Sequence, residues 1–361
     1  MSEENKKTIN IIDVLRNENE NVIEDYYELC KEIYDDFDNQ AYAKKHGYSC
    51  PSFPIFNEKL EGLEEGLYIF AGESNSGKTA LMTNLMWAFC KHKPNKLFGI
   101  YYSLDDNTNE VIPRLIAMDQ RIPISVCSKP SRYEDYITEN KNSQDPDIVN
   151  TCTRYNEFLK KREEGLNNLR SANKEFIIFD RTRITCFEQM LDHAKKIQTY
   201  VKSFDPENNI MIAIDSLADL NVSEKKFTTD RERIDHVVMK TKEAANIHLR
   251  VPIFTSYHVR KLNHQGRPTL DDMKESSRIV YEASVAFLVF NDVSKNKQAA
   301  NVYYTEENVD EKKPVIEIDW AKNKKSSYKG RTYHYFVPNF SHVKEMNHGL
   351  MDRYDSIIYT K

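Results

Sequence analysis

Residues 66–79, Gly66-Leu67-Tyr68-Ile69-Phe70-Ala71-Gly72-Glu73-Ser74-Asn75-Ser76-Gly77-Lys78-Thr79, join a short apolar run to a loop of the pattern G-x-x-x-x-G-K-[ST]. The run reads as a strand buried on both faces, and residues 78–92 carry helical periodicity, so the loop lies between a strand and a helix. A glycine-rich turn that merely matched the pattern would not need both neighbours. Here the glycines let backbone N–H groups curl around a β-phosphate, and the helix N-terminus adds its positive end. Lys78 reaches the β and γ oxygens, and Thr79 ligates magnesium. Gly72, Glu73, Ser74, Asn75, Ser76, Gly77, Lys78 and Thr79 are thus the candidate site for ATP with Mg²⁺.

Working outward, four more runs share the strand character: LFGIYYSL (97–104), EFIIFD (175–180), NIMIAID (209–215) and VPIFTSY (251–257). Helical periodicity over 78–92, 108–120, 187–201 and 230–249 separates them, which predicts βαβ units and a mostly parallel, doubly wound sheet: an α/β fold. After Ala283 the pattern changes to VAFLVFND, AANVYYTE, PVIEIDWA and RTYHYFVP, read as an antiparallel edge added to that sheet. Between 128 and 174 the chain is highly charged and predicted helical over 155–169, without visible chemistry. Ahead of the sheet, Ile12, Val14, Leu15, Val22, Ile23, Tyr26, Leu29, Ile33 and Tyr34 recur mostly at spacings of three or four in a polar, acidic segment. That is one or two amphipathic helices, too short for a core of their own and expected to dock on the main domain or a neighbouring subunit. Pro51 and Pro54 break the pattern. The predicted division is a helical extension over 1–49, the main domain over 50–345 and a tail over 346–361.

The chain has 361 residues, 40% of them hydrophobic, enough for a large core. A single core stops growing near ~250–300 residues, so a smaller appendage is expected. No apolar run approaches the ~18 residues of a membrane span, and the polar start MSEENKKTIN is unlike a signal peptide; the expectation is a cytoplasmic protein without membrane contact. Six cysteines without a C-x-x-C pair read as reduced thiols. The net charge of −5 gives no global attraction for nucleic acid, so any DNA contact must come from a local basic patch.

A magnesium site also needs a carboxylate at the end of a buried strand. Asp215 and Asp180 both qualify, and the helix and strand that follow Asp215 favour it. Hydrolysis needs a group to orient water. Asp105 and Asp106 follow the strand after the phosphate loop and lie on the same sheet edge; they serve equally well on spacing as acidic first-turn residues of the next helix.

Taken together, these segments resemble the C-terminal motor domain of DnaB-type replicative helicases, members of the RecA-like group of hexameric ATPases. The likeness runs from about residue 53 to 342. FNEKLEGLEEGLYIFAGESNSGKTALMTNLMWAF is similar to the family's first strand and phosphate motif, with its short turn at Gly62 and Leu63. In YYSLDDNTNEVIPRLIA, Asp105 stands where the family places a catalytic glutamate, with an arginine in the following helix. NIMIAIDSLADL resembles the magnesium strand, with Asp215 as its aspartate. His258, in TKEAANIHLRVPIFTSYHVRKLN, falls where the family usually carries glutamine and would sense the γ-phosphate; a satisfied core histidine is the plainer alternative. In RPTLDDMKESSRIVYEASVAFLVF, Lys274, Glu275 and Ser277 match the DNA-contacting Arg-Glu-x-Gly positions. In EIDWAKNKKSSYKGRTYHYFVP, Lys322 and Lys324 match a lysine and an arginine that reach a neighbour's ATP; a solvated basic loop is the plainer alternative. Lys261, Arg267 and Lys274 would supply the local basic surface for single-stranded DNA.

The resemblance implies a RecA-like P-loop ATPase with a short helical extension, acting on single-stranded DNA in replication, in a homo-oligomer, a hexameric ring in the family, with a loader or other replication partner. Three departures qualify it. Asp105 is one methylene shorter than glutamate, and Lys324 lacks the planar fork of arginine, so slow hydrolysis is expected. The glycine after Glu275 is missing, and the acidic pair that usually follows survives only as Glu282 with Ser284. The family's separate N-terminal helical domain has no counterpart, so primase docking through it is not expected. Two rival readings remain: a nucleotide-gated assembly protein with little turnover, and a RecA-like ATPase that binds DNA without unwinding it.

Overall fold

The computed structural model describes residues 31, 33–35, 38, 47–171, 175–259, 266–273, 277–306 and 310–359. The chain divides into two units, 1–47 and 48–361. In the first, the described residues 31, 33–35 and 38 are helical.

The second unit is built on one sheet of ten strands. Its parallel part comprises β1 (Gly66–Gly72), β2 (Leu97–Ser103), β3 (Phe176–Asp180), β4 (Asn209–Asp215), β5 (Pro252–His258) and β6 (Val285–Phe290). The remainder is β7 (Tyr303–Tyr304), β8 (Lys313–Asn323), β9 (Arg331–Val337) and β10 (His342–Glu345). The order is β10-β9-β8-β6-β1-β5-β4-β2-β3, with β7 on β8. Register brings Gly72 beside His258, and Ser103 beside both Asp215 and Asp180, so the candidate groups end their strands on one edge. In open α/β sheets that carboxyl edge is where ligands bind.

Alternation along the strands divides the core. Leu67, Ile69, Ile100, Ile212 and Ile214 point to one face, covered by α7 (Phe187–Phe204) and α8 (Asp230–Glu243). Tyr68, Phe70, Tyr101, Met211 and Phe254 point to the other, covered by α2 (Lys78–Lys91) and α3 (Thr108–Gln120). A short α1 (Pro54–Leu60) precedes β1; its first two free N–H groups, of Ile55 and Phe56, each donate at 2.7 Å to buried Glu345.

Four segments differ from the sequence-based expectation. β6 runs parallel to β1, so the antiparallel part begins only at β8. The expected strand over 299–306 shrinks to two residues because Asp292 folds the chain back: it starts α10 (Asp292–Asn296) and accepts from the N–H groups of Asn301 (2.7 Å) and Val302 (2.9 Å). The charged insertion holds α4 (Ile124–Ser128), α5 (Ser131–Glu139) and a 26-residue α6 (Pro146–Ser171), longer than predicted. Gly165 allows α6 to lie close on α3, since a Cβ there would meet Ile116 and Gln120 at 2.8 Å. Past α9 (Ser277–Glu282), the expected tail is largely α11 (His348–Tyr359), packed through Met351 and Tyr354 against Val315 and Tyr333. Among the described residues no helix is long and apolar enough to cross a membrane, and Cys50, Cys90, Cys127, Cys152 and Cys186 are free thiols.

Candidate nucleotide site and nucleic-acid surface

The phosphate loop is shaped by contacts that exclude side chains. A Cβ on Gly72 would lie 2.4 Å from the Val289 carbonyl oxygen, and one on Gly77 would lie 2.6 Å from Ile316. Gly77 also has φ +95°, a left-handed conformation that glycine adopts without steric cost. Lys78, the first residue of α2, is buried and folds over the loop, donating to the carbonyls of Gly72 (3.0 Å) and Glu73 (2.7 Å). Burial pushes its amine down to about 8, against the pull of Asp215, Asp105 and Glu73. Ser76 Oγ is buried without a hydrogen-bond partner among the described residues. A side-chain-free cradle, a poised cation and an orphan hydroxyl fit a bound polyphosphate.

Asp215 is held from three sides. Its Oδ2 accepts from Thr79 Oγ1 (2.8 Å) and from Tyr101 OH (2.8 Å), and its Oδ1 accepts from Ser256 Oγ. Thr79 and Asp215, in contact with each other, together offer hard oxygens of the kind Mg²⁺ prefers. Asp180 is otherwise occupied. It accepts from the N–H and Oγ1 of Thr108 (3.1 and 3.0 Å) and of Thr182 (3.0 and 2.6 Å), and these bonds, the Thr182 hydroxyl foremost, hold its carboxyl down to about 2. It ties the start of α3 to β3. Tyr101 and Ser256 were missed by sequence reasoning, although a hydroxyl inside each otherwise apolar run was the available signal.

A cleft of about 710 Å³ spreads from the loop, lined by Lys78, Thr79, Asp105, Asp106, Arg114 and His258 among others. Asp105 and Asp106 do not cap α3; Asn107 does, in a reciprocal capping box with Glu110. Asp106 is paired with Arg114, and the Asp105 N–H donates to the Asp215 carbonyl (3.0 Å). Burial, then the charges of Asp219, Asp106 and Asp215, push the Asp105 carboxyl up. Burial and Lys78 push the His258 imidazole down, against the pull of Asp105, Asp215 and Asp219. His258 ends β5 with its side chain open to the cleft, not enclosed in the core.

Other sequence-predicted residues lie elsewhere. β8 pairs Glu317 with Phe290 at the end of β6 but Lys322 with Ala286 near its start. Lys322 and Lys324 therefore occupy the sheet edge opposite their own phosphate loop. Lys322 donates to the last carbonyls of α9, those of Val280 and Tyr281 (2.8 Å to the latter). Arg267 makes a bidentate pair with buried Glu317 (2.6 and 2.8 Å) and lies over Phe290, which commits it inward. Lys261, Lys274 and Glu275 lie outside the described residues, and Ser277 is the first residue of α9.

The fold and the loop define a P-loop ATPase domain of RecA-like type. The profile of the DnaB-like helicase C terminal domain matches residues 51–344, and the chain belongs to that family. A solved ATPase domain superposes with a TM-score of 0.67 at 17% identity, covering 88% of this chain and 98% of that one. A DnaB-like replicative helicase, solved in a study of its interactions with primase, gives 0.63 at 16% identity, covering 88% and 66%. At such identities the likeness is one of fold. No curated protein sequence matches the chain.

Proposed function

We propose that this chain is an ATP-driven translocase that acts on single-stranded DNA in replication, as a ring of identical subunits engaged by a loader or other replication partner. Thr79 and Asp215 would hold Mg²⁺, which supplies charge neutralisation between the β- and γ-phosphates. Lys78 and the loop N–H groups bind the phosphates. Asp105 is the group that orients water, and His258 donates to the γ-phosphate and couples its presence to the DNA contacts. Lys274, Glu275 and Ser277 are the proposed DNA contacts. One observation supports the reading: Lys78, Thr79, Asp105 and His258 open into one cleft, whereas Lys324 follows the β8 segment paired with the start of β6, at the opposite edge of the sheet from its own phosphate loop. The site is then complete only in an assembly.

The test is the steady-state ATPase rate with and without single-stranded DNA, with Lys78→Ala as the blank, followed by strand displacement on forked DNA. Stimulation by DNA supports the translocase; ATP binding without turnover in either condition overturns it in favour of a nucleotide-gated assembly protein. That second reading is favoured by one feature, the short reach of Asp105. Stimulated turnover without displacement would point instead to a RecA-like ATPase that binds DNA without unwinding it.

A further inference from the structure

Glu73 puts a carboxylate inside a loop built to receive phosphate, where an unpaired anion would repel the ligand. In the structure this charge is matched. Lys295 Nζ lies 2.8 and 2.7 Å from the two Glu73 oxygens, and the pair is about one-fifth exposed, 22% and 20%. Lys295 is presented by α10, a turn that does not depend on the loop for its shape. Asn291 caps it by accepting from the Ser294 N–H (3.0 Å), and buried Asp292 fixes it through the N–H groups of Asn301 and Val302. At its other end Glu73 accepts Lys78 Nζ on its carbonyl. The residue that carries the unwanted charge therefore also seats the phosphate-binding lysine.

We propose that Lys295 is a positioning residue for nucleotide binding: acting through Glu73, it cancels the one carboxylate of the phosphate loop and fixes the backbone on which Lys78 rests. The inference deepens the nucleotide reading and rests on it. Asn291, Val293 and Ser294 line the same cleft, so α10 forms its wall as well as supplying the counter-charge.

Binding of a fluorescent ATP analogue with Mg²⁺ to the full chain tests this in a double-mutant cycle. Lys295→Ala is expected to weaken binding about tenfold in the wild-type background and less than about twofold in the Glu73→Gln background, because the anion to be neutralised is then gone. Lys295→Arg is expected to stay within about twofold of wild type. Raising the salt should narrow the wild-type gap, which a purely structural loss would not do. Equal losses in both backgrounds, or an arginine variant as weak as the alanine one, overturn the proposal; far-UV circular dichroism identifies an unfolded variant, and Lys295→Met then replaces the alanine. Absence of binding by the wild-type chain would overturn the nucleotide reading itself, and it is distinguished because it appears before any substitution.

Discussion

Two lysines at opposite edges of the same sheet, Lys78 and Lys322, each fold onto backbone carbonyls and each titrate near 8, yet they are set up for different work. Lys78 donates to carbonyls of the loop that itself would hold the phosphates, and three carboxylates oppose the effect of its burial. Lys322 donates to the C-terminal carbonyls of α9, where a cation is stabilised by the helix dipole, and after burial its amine is pushed down by neighbouring Lys324. The first arrangement is a cation waiting for an anion. The second is a helix fastening, and it leaves Lys324 as the residue proposed for a partner's nucleotide. One sheet edge carries a built phosphate loop, and the other would be half of a site under the proposed assembly.

The harshest way to break this comparison is at Lys78. Lys78→Ala removes the phosphate cation and is expected to lower kcat/KM for ATP by about 10³-fold, measured by steady-state hydrolysis. Lys324→Ala is expected to lower kcat by about 10²-fold, with nucleotide affinity nearly intact, if it acts only at a neighbour's site. Mixing the Lys324→Ala and Lys78→Ala proteins then restores activity, since the mixture contains sites with a good loop on one subunit and a good lysine on the next. A mixture as dead as its components would end the claim that the edges cooperate across subunits.

Titration separates the two lysines more finely. Lys78 is cationic below about 8, lower than an ordinary lysine, and ATP favours the cation. Affinity should therefore be flat below that pH and fall above it, by at most about tenfold per unit, because one proton is linked to binding. Lys78→Arg should remove the fall, as arginine stays charged. Lys322→Met should leave the shape of the profile alone. A profile that follows Lys322 instead would reverse the assignment of the two edges.

The same contrast marks how much was legible in the sequence. The phosphate loop and the parallel strands were readable because local pattern fixes them: continuous apolar runs, a glycine-bounded loop and a lysine at the start of a helix. The order of elements favoured Asp215 over Asp180 in the sequence, but its surroundings were not readable there: Thr79, Tyr101 and Ser256 converge on it from three other elements. Arg267 misled for a related reason. In the sequence it stands in a run that suits DNA contact, and only the pairing of β8 with β6 delivers buried Glu317 beneath it. Likewise Lys295 and Glu73 are 222 positions apart, and no pattern within either segment announces the pair. The strand expected over 299–306 failed because Asp292 binds two N–H groups that a strand would have used.

Asp105 gives the smallest and most diagnostic effect. It lines the cleft that Lys78 and His258 also line, and its backbone is pinned to the Asp215 carbonyl, so in the proposed role its side chain alone would set the reach to an attacking water. Asp105→Glu adds one methylene without changing charge. If the edge is a working site that falls short by that length, turnover should rise several-fold, while ATP affinity stays the same, because positioning of water enters kcat and not ground-state binding. If the edge is a nucleotide-binding switch, the longer side chain has no step to accelerate, and turnover stays at the background set by Lys78→Ala. A fall in turnover would carry a third meaning: burial and the neighbouring Asp219, Asp106 and Asp215 already push the Asp105 carboxyl up, and moving that charge nearer to the phosphates would cost more than the added reach supplies.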